Sequence, residues 1–247
     1  MLVNGLNINA RVNLIKGQGQ CLLFLHGWGG SLASFEGAES FFAKKHTTIN
    51  LDWPGHGKSD DPPAYYDVGQ YAVLVKDLVR QLGVPKVNIV AHSFGGRIAI
   101  KLASLFPDLV GKLVLTGCAG VKPRFSLKRN LRITNFKLKR MLNKSGLLKK
   151  FDENAYGSVD YKALDPNMKQ VFRRVVNDDL TPLLNGLRAP TLLVWGKKDV
   201  DTPIYMAKRM NKGIIGSRLV VFEDSGHYAY VERFDSFISL VNDFLRD

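Results

Sequence analysis

The sequence predicts an α/β chain: a mostly parallel sheet covered by helices, with one long helical insertion. Three observations predict it. Short, β-branched apolar runs bounded by Gly, Pro or Asp recur along the chain, as strands buried on both faces require. Stretches with apolar residues three and four apart separate those runs, as helices covering a sheet require. Between about residues 119 and 188 the alternation stops, and apolar residues recur only at helical spacing.

In chain order, residues 2–15, with Gly17 and Gly19 after them, read as one or two antiparallel edge strands. Cys21-Leu22-Leu23-Phe24-Leu25 is the first buried strand and ends at Gly27. Thr47 to Leu51 is a weaker one and ends at Asp52-Trp53-Pro54-Gly55. Tyr71 to Leu82 places Val75, Leu78, Val79 and Leu82 on one helical face. Val87 to Ala91 is a strand, and Arg97 to Phe106 is a helix carrying Ile98, Leu102 and Leu105. Lys112 to Leu115 is the next strand. After the insertion, strands follow at Thr191 to Trp195 and Leu219 to Phe222. Tyr230 to Phe244 closes the chain as a helix with Phe234, Phe237, Ile238, Val241 and Phe244 on its apolar side. The expected division is a core from residues 1–118 and 189–247, with 119–188 inserted between two strands.

Composition bounds the function. The chain has 247 residues, 45% hydrophobic and 23% charged, close to the globular average and far from disordered or collagen-like chains. A chain of this length buries a core that needs no disulfide or metal staple. No run of eighteen apolar residues exists to span a membrane. The opening residues show neither the basic region nor the apolar region of a secretory leader, so none is expected. Two cysteines, Cys21 and Cys118, make no disulfide framework; both sit in apolar runs, are expected to be buried thiols, and fit a reducing, cytoplasmic setting.

The chemistry centres on Val90-Ala91-His92-Ser93-Phe94-Gly95-Gly96. A buried strand runs into it and a helix leaves it. Such a turn, closed by small residues at Ala91 and Gly95, lifts a serine hydroxyl into the open. The bland alternative is a helix-capping serine. A hydroxyl is a weak nucleophile and needs a base, with an acid to orient that base. Asp199 stands just past the strand ending in Trp195-Gly196, and His227 stands just past the last strand. All three positions lie beyond strand carboxyl ends, where parallel sheets place their sites. Asp201 is the rival acid and is expected to cap the helix begun by Thr202-Pro203. The turn His26-Gly27-Trp28-Gly29-Gly30 can present a backbone donor to an oxyanion, which points to the amides of Trp28 and Phe94. His26, His46, His56 and His92 show no metal-ligand spacing and read as loop or support residues, with His92 directed away from Ser93. No metal or organic cofactor is expected.

Taken together, these motifs and the run Leu51-Asp52-Trp53-Pro54-Gly55-His56-Gly57-Lys58-Ser59 resemble the α/β-hydrolase fold superfamily, in its branch with a helical cap. The resemblance covers nearly the whole chain outside the insertion. It implies a mostly parallel sheet of about eight strands flanked by helices, with Ser93 as nucleophile, Asp199 as acid and His227 as base. Ala91 stands where a Gly is usual, and Phe234 where a Pro often follows Glu232-Arg233. A serine nucleophile disfavours haloalkane dehalogenases and most epoxide hydrolases. The expected activity is hydrolysis of a carboxylic ester or related acyl compound of small to medium size. The same triad also serves carbon–carbon bond hydrolases of diketone-like acids. A slow-hydrolysing ligand receptor on the same scaffold is the alternative outside catalysis.

The net charge of +13 is local. Residues 121–150 hold eleven Lys or Arg and no acid, leaving +2 for all the rest. Plotted at 100° per residue, Leu127, Leu131, Leu138, Met141, Leu142 and Leu148 share a face, and Lys128, Arg129, Arg132, Lys139, Arg140 and Lys144 fall elsewhere. One or two basic amphipathic helices, broken at Gly146, follow. Their apolar face is expected to cover the catalytic pocket. Contact with anionic lipid or with an acidic group of the substrate is the other reading. Nucleic acid is not expected as a partner, since aromatics are few here and no nucleic-acid module is present.

Overall fold

The computed structural model describes residues 1–15, 20–122 and 159–246, with a few positions between 131 and 145. Much of the basic segment read over 121–150 therefore lies outside the described residues, Leu127, Leu148 and the break at Gly146 included.

The first stretch doubles back on itself. β1 (Leu2–Val3) and β2 (Leu6–Asn7) pair antiparallel across Asn4-Gly5, both at positive φ (51° and 81°), the conformation of a tight two-residue hairpin. β3 (Ala10–Asn13) then joins the main sheet as its antiparallel edge. Six parallel strands complete that sheet: β4 (Cys21–Leu25), β5 (Thr47–Leu51), β6 (Val87–His92), β7 (Val110–Thr116), β8 (Thr191–Gly196) and β9 (Arg218–Phe222). Their order is β3-β5-β4-β6-β7-β8-β9, seven strands, with the β1–β2 ribbon outside the sheet.

Alternate residues of each strand face opposite layers. Leu23, Leu25, Ile89 and Leu113 pack under α2 (Val68–Gln81) and α3 (Phe94–Leu105). Leu22, Phe24, Val90 and Val114 pack under α1 (Glu36–Phe42) and the last helix. Both sides of β4 and β6 are thus apolar, which is why those runs read as continuous in sequence. The closing helix is two pieces, α7 (Ala229–Glu232) and α8 (Phe234–Arg246), where the spacing predicted one. Arg233 between them leaves helical geometry (φ −126°, ψ 48°), and Phe234, where a Pro is common, becomes the first residue of α8.

Between β7 and β8 the described elements are helical, as the lost alternation predicts: α4 (Val159–Ala163), α5 (Pro166–Asn177) and a 3₁₀ stretch at Thr181–Gly186. Asp165 caps α5 by accepting from the amides of Asn167 and Met168, with Pro166 in the first turn. Met168, Val171 and Val175, three and four apart, are buried against the core. α6 (Ile204–Gly213) follows β8. Cys118 is fully buried, but Cys21, at the start of β4, is only half-buried, because a strand's first residue sits at the rim of the sheet.

Candidate active site

Strand ends gather the expected residues along the carboxyl edge of the sheet. β6 ends at His92, and Ser93 turns the chain straight into α3. Ser93 sits at φ 49°, ψ −107°, a region a non-glycine residue enters only under constraint. The constraint is visible. The Ser93 amide donates to Thr116 O (3.1 Å), and Ser93 O accepts from the amides of Gly96 and Ala119. A side chain at Gly95 would lie 2.2 Å from Leu25 O, so only glycine lets α3 start this close to β4. The Ser93 hydroxyl makes no cap bond, and none of its other contacts among the described residues is a hydrogen bond. The helix-cap reading of Ser93 therefore does not describe it.

Asp199 and His227 meet. His227 Nδ1 lies 2.9 Å from Asp199 Oδ2. Asp199 Oδ1 accepts from the amides of Asp201 (2.9 Å) and Thr202 (2.8 Å). Burial works against the charged carboxylate, but the bonds from His227 and Thr202 outweigh it and hold the group below its usual range. The His227 ring packs on Gly117, whose neighbour Thr116 takes the Ser93 amide, so base and serine flank the same peptide. With Nδ1 committed to Asp199, Nε2 of His227 has no hydrogen-bond partner among the described residues. The link between Nε2 and the serine hydroxyl is not closed in this structure.

Two features differ from the sequence reading. Asp201 does not cap α6: that helix starts at Ile204 after Pro203 with no side-chain bond, and the Asp201 amide serves Asp199 instead. Thr202 was read only as part of a helix start. It is buried, and its hydroxyl lies 2.7 Å from Asp199 Oδ2, 3.1 Å from Gly117 O and 3.4 Å from His227 Nδ1. It has one proton to give, and the nearer, charged acceptor takes it. A hydroxyl three residues after a strand-end acid was the available signal.

The two amides expected to face an oxyanion, those of Trp28 and Phe94, have no acceptor among the described residues. The amide of Phe94, first residue of α3, has no intrahelical acceptor, as at any helix start, and the amide of Trp28 is likewise without a partner among the described residues. The turn around Trp28 is held from behind. Trp53 N donates to His26 Nε2 (3.2 Å), so His26 carries its proton on Nδ1 and donates to Gly27 O (2.7 Å). Burial pushes the His26 imidazole down to about 4, keeping it in that neutral form. Asp52 accepts from the amides of Leu32 (2.6 Å) and Lys58 (2.9 Å) and from Asn9 (2.7 Å), joining the turn to the loop after β5. The Trp28 ring packs edge-on against His56, Phe94 and, from α5, Phe172 (5.0 Å).

His92 packs beside the base, its ring 4.6 Å from that of His227 and its Nδ1 3.0 Å from Thr116 O. Burial, then the neighbouring His227, push it down to about 3, so it adds no charge there. Arg97 of α3 donates from Nη1 to Val175 O (3.1 Å) and Asp178 O (2.9 Å), tying the end of α5 to the helix that begins at Ser93. A cleft of about 240 Å³ is lined by Arg97, Asn177, Asp178, Asp201 and Thr202 among others. Asp199, Asp201 and His227 are the only group among the described residues whose ligating atoms lie within 4.8 Å of one another. Both Asp199 oxygens and His227 Nδ1 already serve each other and the 201–202 turn, the chemistry of an acid–base pair more than of a metal site.

Comparison with known proteins agrees in fold. Residues 20–145 match the family model described as alpha/beta hydrolase fold, and 172–247 match one described as TAP-like protein. A 2-hydroxy-6-oxononadienedioate/2-hydroxy-6-oxononatrienedioate hydrolase of Escherichia coli is 31% identical over 93% of this chain and 88% of its own. An esterase from Exiguobacterium antarcticum superposes with a TM-score of 0.76 at 26% identity, covering 100% of this chain and 97% of that one. An enol-lactonase from Burkholderia xenovorans LB400 superposes at 0.77 with 21% identity, covering 100% and 99%.

Proposed function

The chain belongs to the α/β-hydrolase fold family, and from that premise we propose that it is a serine hydrolase cleaving a carboxylic ester or related acyl compound. The observation that carries the reading is the 2.9 Å pair of His227 and Asp199, set beside a strained Ser93 whose hydroxyl has no hydrogen-bond partner among the described residues. His227 Nε2 takes the proton of Ser93 Oγ as that oxygen attacks the substrate carbonyl. Asp199 holds the proton on Nδ1 and stabilises the imidazolium. The Trp28 and Phe94 amides receive the negative oxygen of the tetrahedral intermediate. Collapse of that intermediate expels the alcohol, which takes the proton from His227. Water then attacks the acyl-enzyme with His227 again the base, and the second tetrahedral intermediate breaks its bond to Ser93 Oγ, which takes the proton back from His227 as the carboxylic acid leaves. Every proton in the cycle is carried by a side chain, so no cofactor enters the scheme. Residues 119–188 act as the cap that shapes the acyl pocket, supported by the contact of Phe172 with Trp28. Two thiols with no disulfide partner fit a cytoplasmic setting.

A second reading has its own support. The Escherichia coli relative is named as a hydrolase of 2-hydroxy-6-oxo acids, and the same Ser93 and His227 could cleave a carbon–carbon bond beside a ketone. A fluorophosphonate probe and a p-nitrophenyl ester panel of increasing acyl length separate the readings. The wild type labels and turns over short to medium esters, while Ser93→Ala does neither. Equal labelling of Ser93→Ala overturns the nucleophile. Ester turnover no faster than Ser93→Ala, beside rapid loss of a 2-hydroxy-6-oxo dienoate, selects carbon–carbon cleavage.

A further inference from the structure

Three described apolar residues of the basic stretch after β7 are not buried as its pattern predicts. At helical positions, Leu131, Leu138 and Met141 are 62%, 50% and 60% exposed. Steps of seven and three residues place them within about 80° of one another at 100° per residue. Isolated exposed leucines are ordinary on protein surfaces. Three on one side of a stretch that carries eleven cations and no acid are not.

We propose that this face docks on an anionic lipid surface. Three occupants could cover exposed apolar residues in a segment of this charge, and their chemistry separates them. A second copy of the chain would cover the leucines but bring +11 against +11. A nucleic acid would neutralise the cations but leave the leucines in water. An anionic bilayer does both: its headgroups pair with Lys and Arg while the apolar side chains enter the boundary between headgroups and acyl chains. No described helix is long and apolar enough to cross a membrane, so the contact is peripheral.

Sedimentation of the full chain with vesicles tests this without reference to any activity. Vesicles of phosphatidylcholine alone are compared with an equimolar mixture of phosphatidylcholine and phosphatidylglycerol, at low ionic strength and near 1 M salt, where the screening length falls to about 3 Å. The mixed vesicles bind the wild type at least about tenfold more strongly than phosphatidylcholine alone, and salt weakens that binding. The triple variant L131S/L138S/M141S, which keeps every charge, binds at least about tenfold less than the wild type, while its melting temperature is unchanged. Equal binding to both vesicle types overturns the proposal. So does a serine variant that still binds like the wild type, which would leave a plain polycation. A concentration-dependent dimer that the serine variant abolishes, with no vesicle binding, assigns the face to a second copy and overturns it as well.

Discussion

Thr202→Val is the sharpest test of how the acid is tuned. The substitution keeps shape and backbone and removes one hydroxyl, which lies 2.7 Å from Asp199 Oδ2 in a buried site. Asp199 keeps three donors: the amides of Asp201 and Thr202 and the His227 ring. A hydrogen bond to a charged group is worth about 1.5–3 kcal/mol, and one pKa unit about 1.4 kcal/mol. Losing a donor to its charged form makes the carboxylate hold a proton, or an imidazolium, more tightly. The pair then gives up its shared proton only at higher pH. If between a quarter and a half of the lost bond is felt by the proton the pair shares, the acid limb of the kcat/KM profile moves up by about 0.3 to 1 pH unit. The plateau falls less than about tenfold, because the pair itself survives. Thr202→Ser, which restores the donor, returns the limb toward the wild type. The assay is hydrolysis of a p-nitrophenyl ester from pH 5 to 9. A superimposable profile for Thr202→Val, or a Thr202→Ser profile matching Thr202→Val, refutes the role given to the hydroxyl.

Asp199→Asn keeps the geometry but favours the wrong histidine tautomer, and kcat drops by about 10⁴-fold, while Asp201→Asn changes it by less than about threefold; comparable losses in the two variants would move the acid to Asp201. Acid should destabilise the fold through its buried histidines. Held neutral when folded, with values near 4 for His26 and 3 for His92, each takes up a proton on unfolding below the ordinary value of 6.5. Their stability is full above that value and lost as the pH falls toward the folded values, by about 1.4 kcal/mol per pH unit for each histidine. Urea midpoints at pH 7, 6 and 5 report it, and a midpoint that stays constant over that range contradicts the burial assigned to both rings.

The sheet was legible because both of its faces are covered. Leu22 to Leu25 and Ile89 to Ala91 are apolar at every position, and a run that short has few other homes than a strand between two helix layers. What the pattern could not carry was set by single backbone angles. Spacing from Tyr230 to Phe244 is unbroken, yet Arg233 steps out of helical geometry and divides the segment. The opening stretch shows one alternation, but Asn4-Gly5 turns four of its residues into a ribbon apart from the sheet. In the basic insertion the periodicity predicts an apolar face directed inward. The pattern reports only that such a face exists; what covers it depends on contacts beyond the segment, and Leu131, Leu138 and Met141 are exposed.

The site divides along a similar line. Ser93, Asp199 and His227 stand out in sequence because each is a reactive residue just past a strand end. Thr202 does not, because its role arises from how one turn folds back on itself. The 199–202 turn folds back so that two amides and a hydroxyl converge on one carboxylate. An acid followed by Thr-Pro reads equally well as a helix start, and only the helix's beginning at Ile204, without a side-chain cap, decides between the two. The same geometry explains why Asp201 is a poor acid. Its amide is already spent orienting Asp199 and its side chain is exposed, so a negative charge held there would be screened by water from the imidazolium it would have to stabilise.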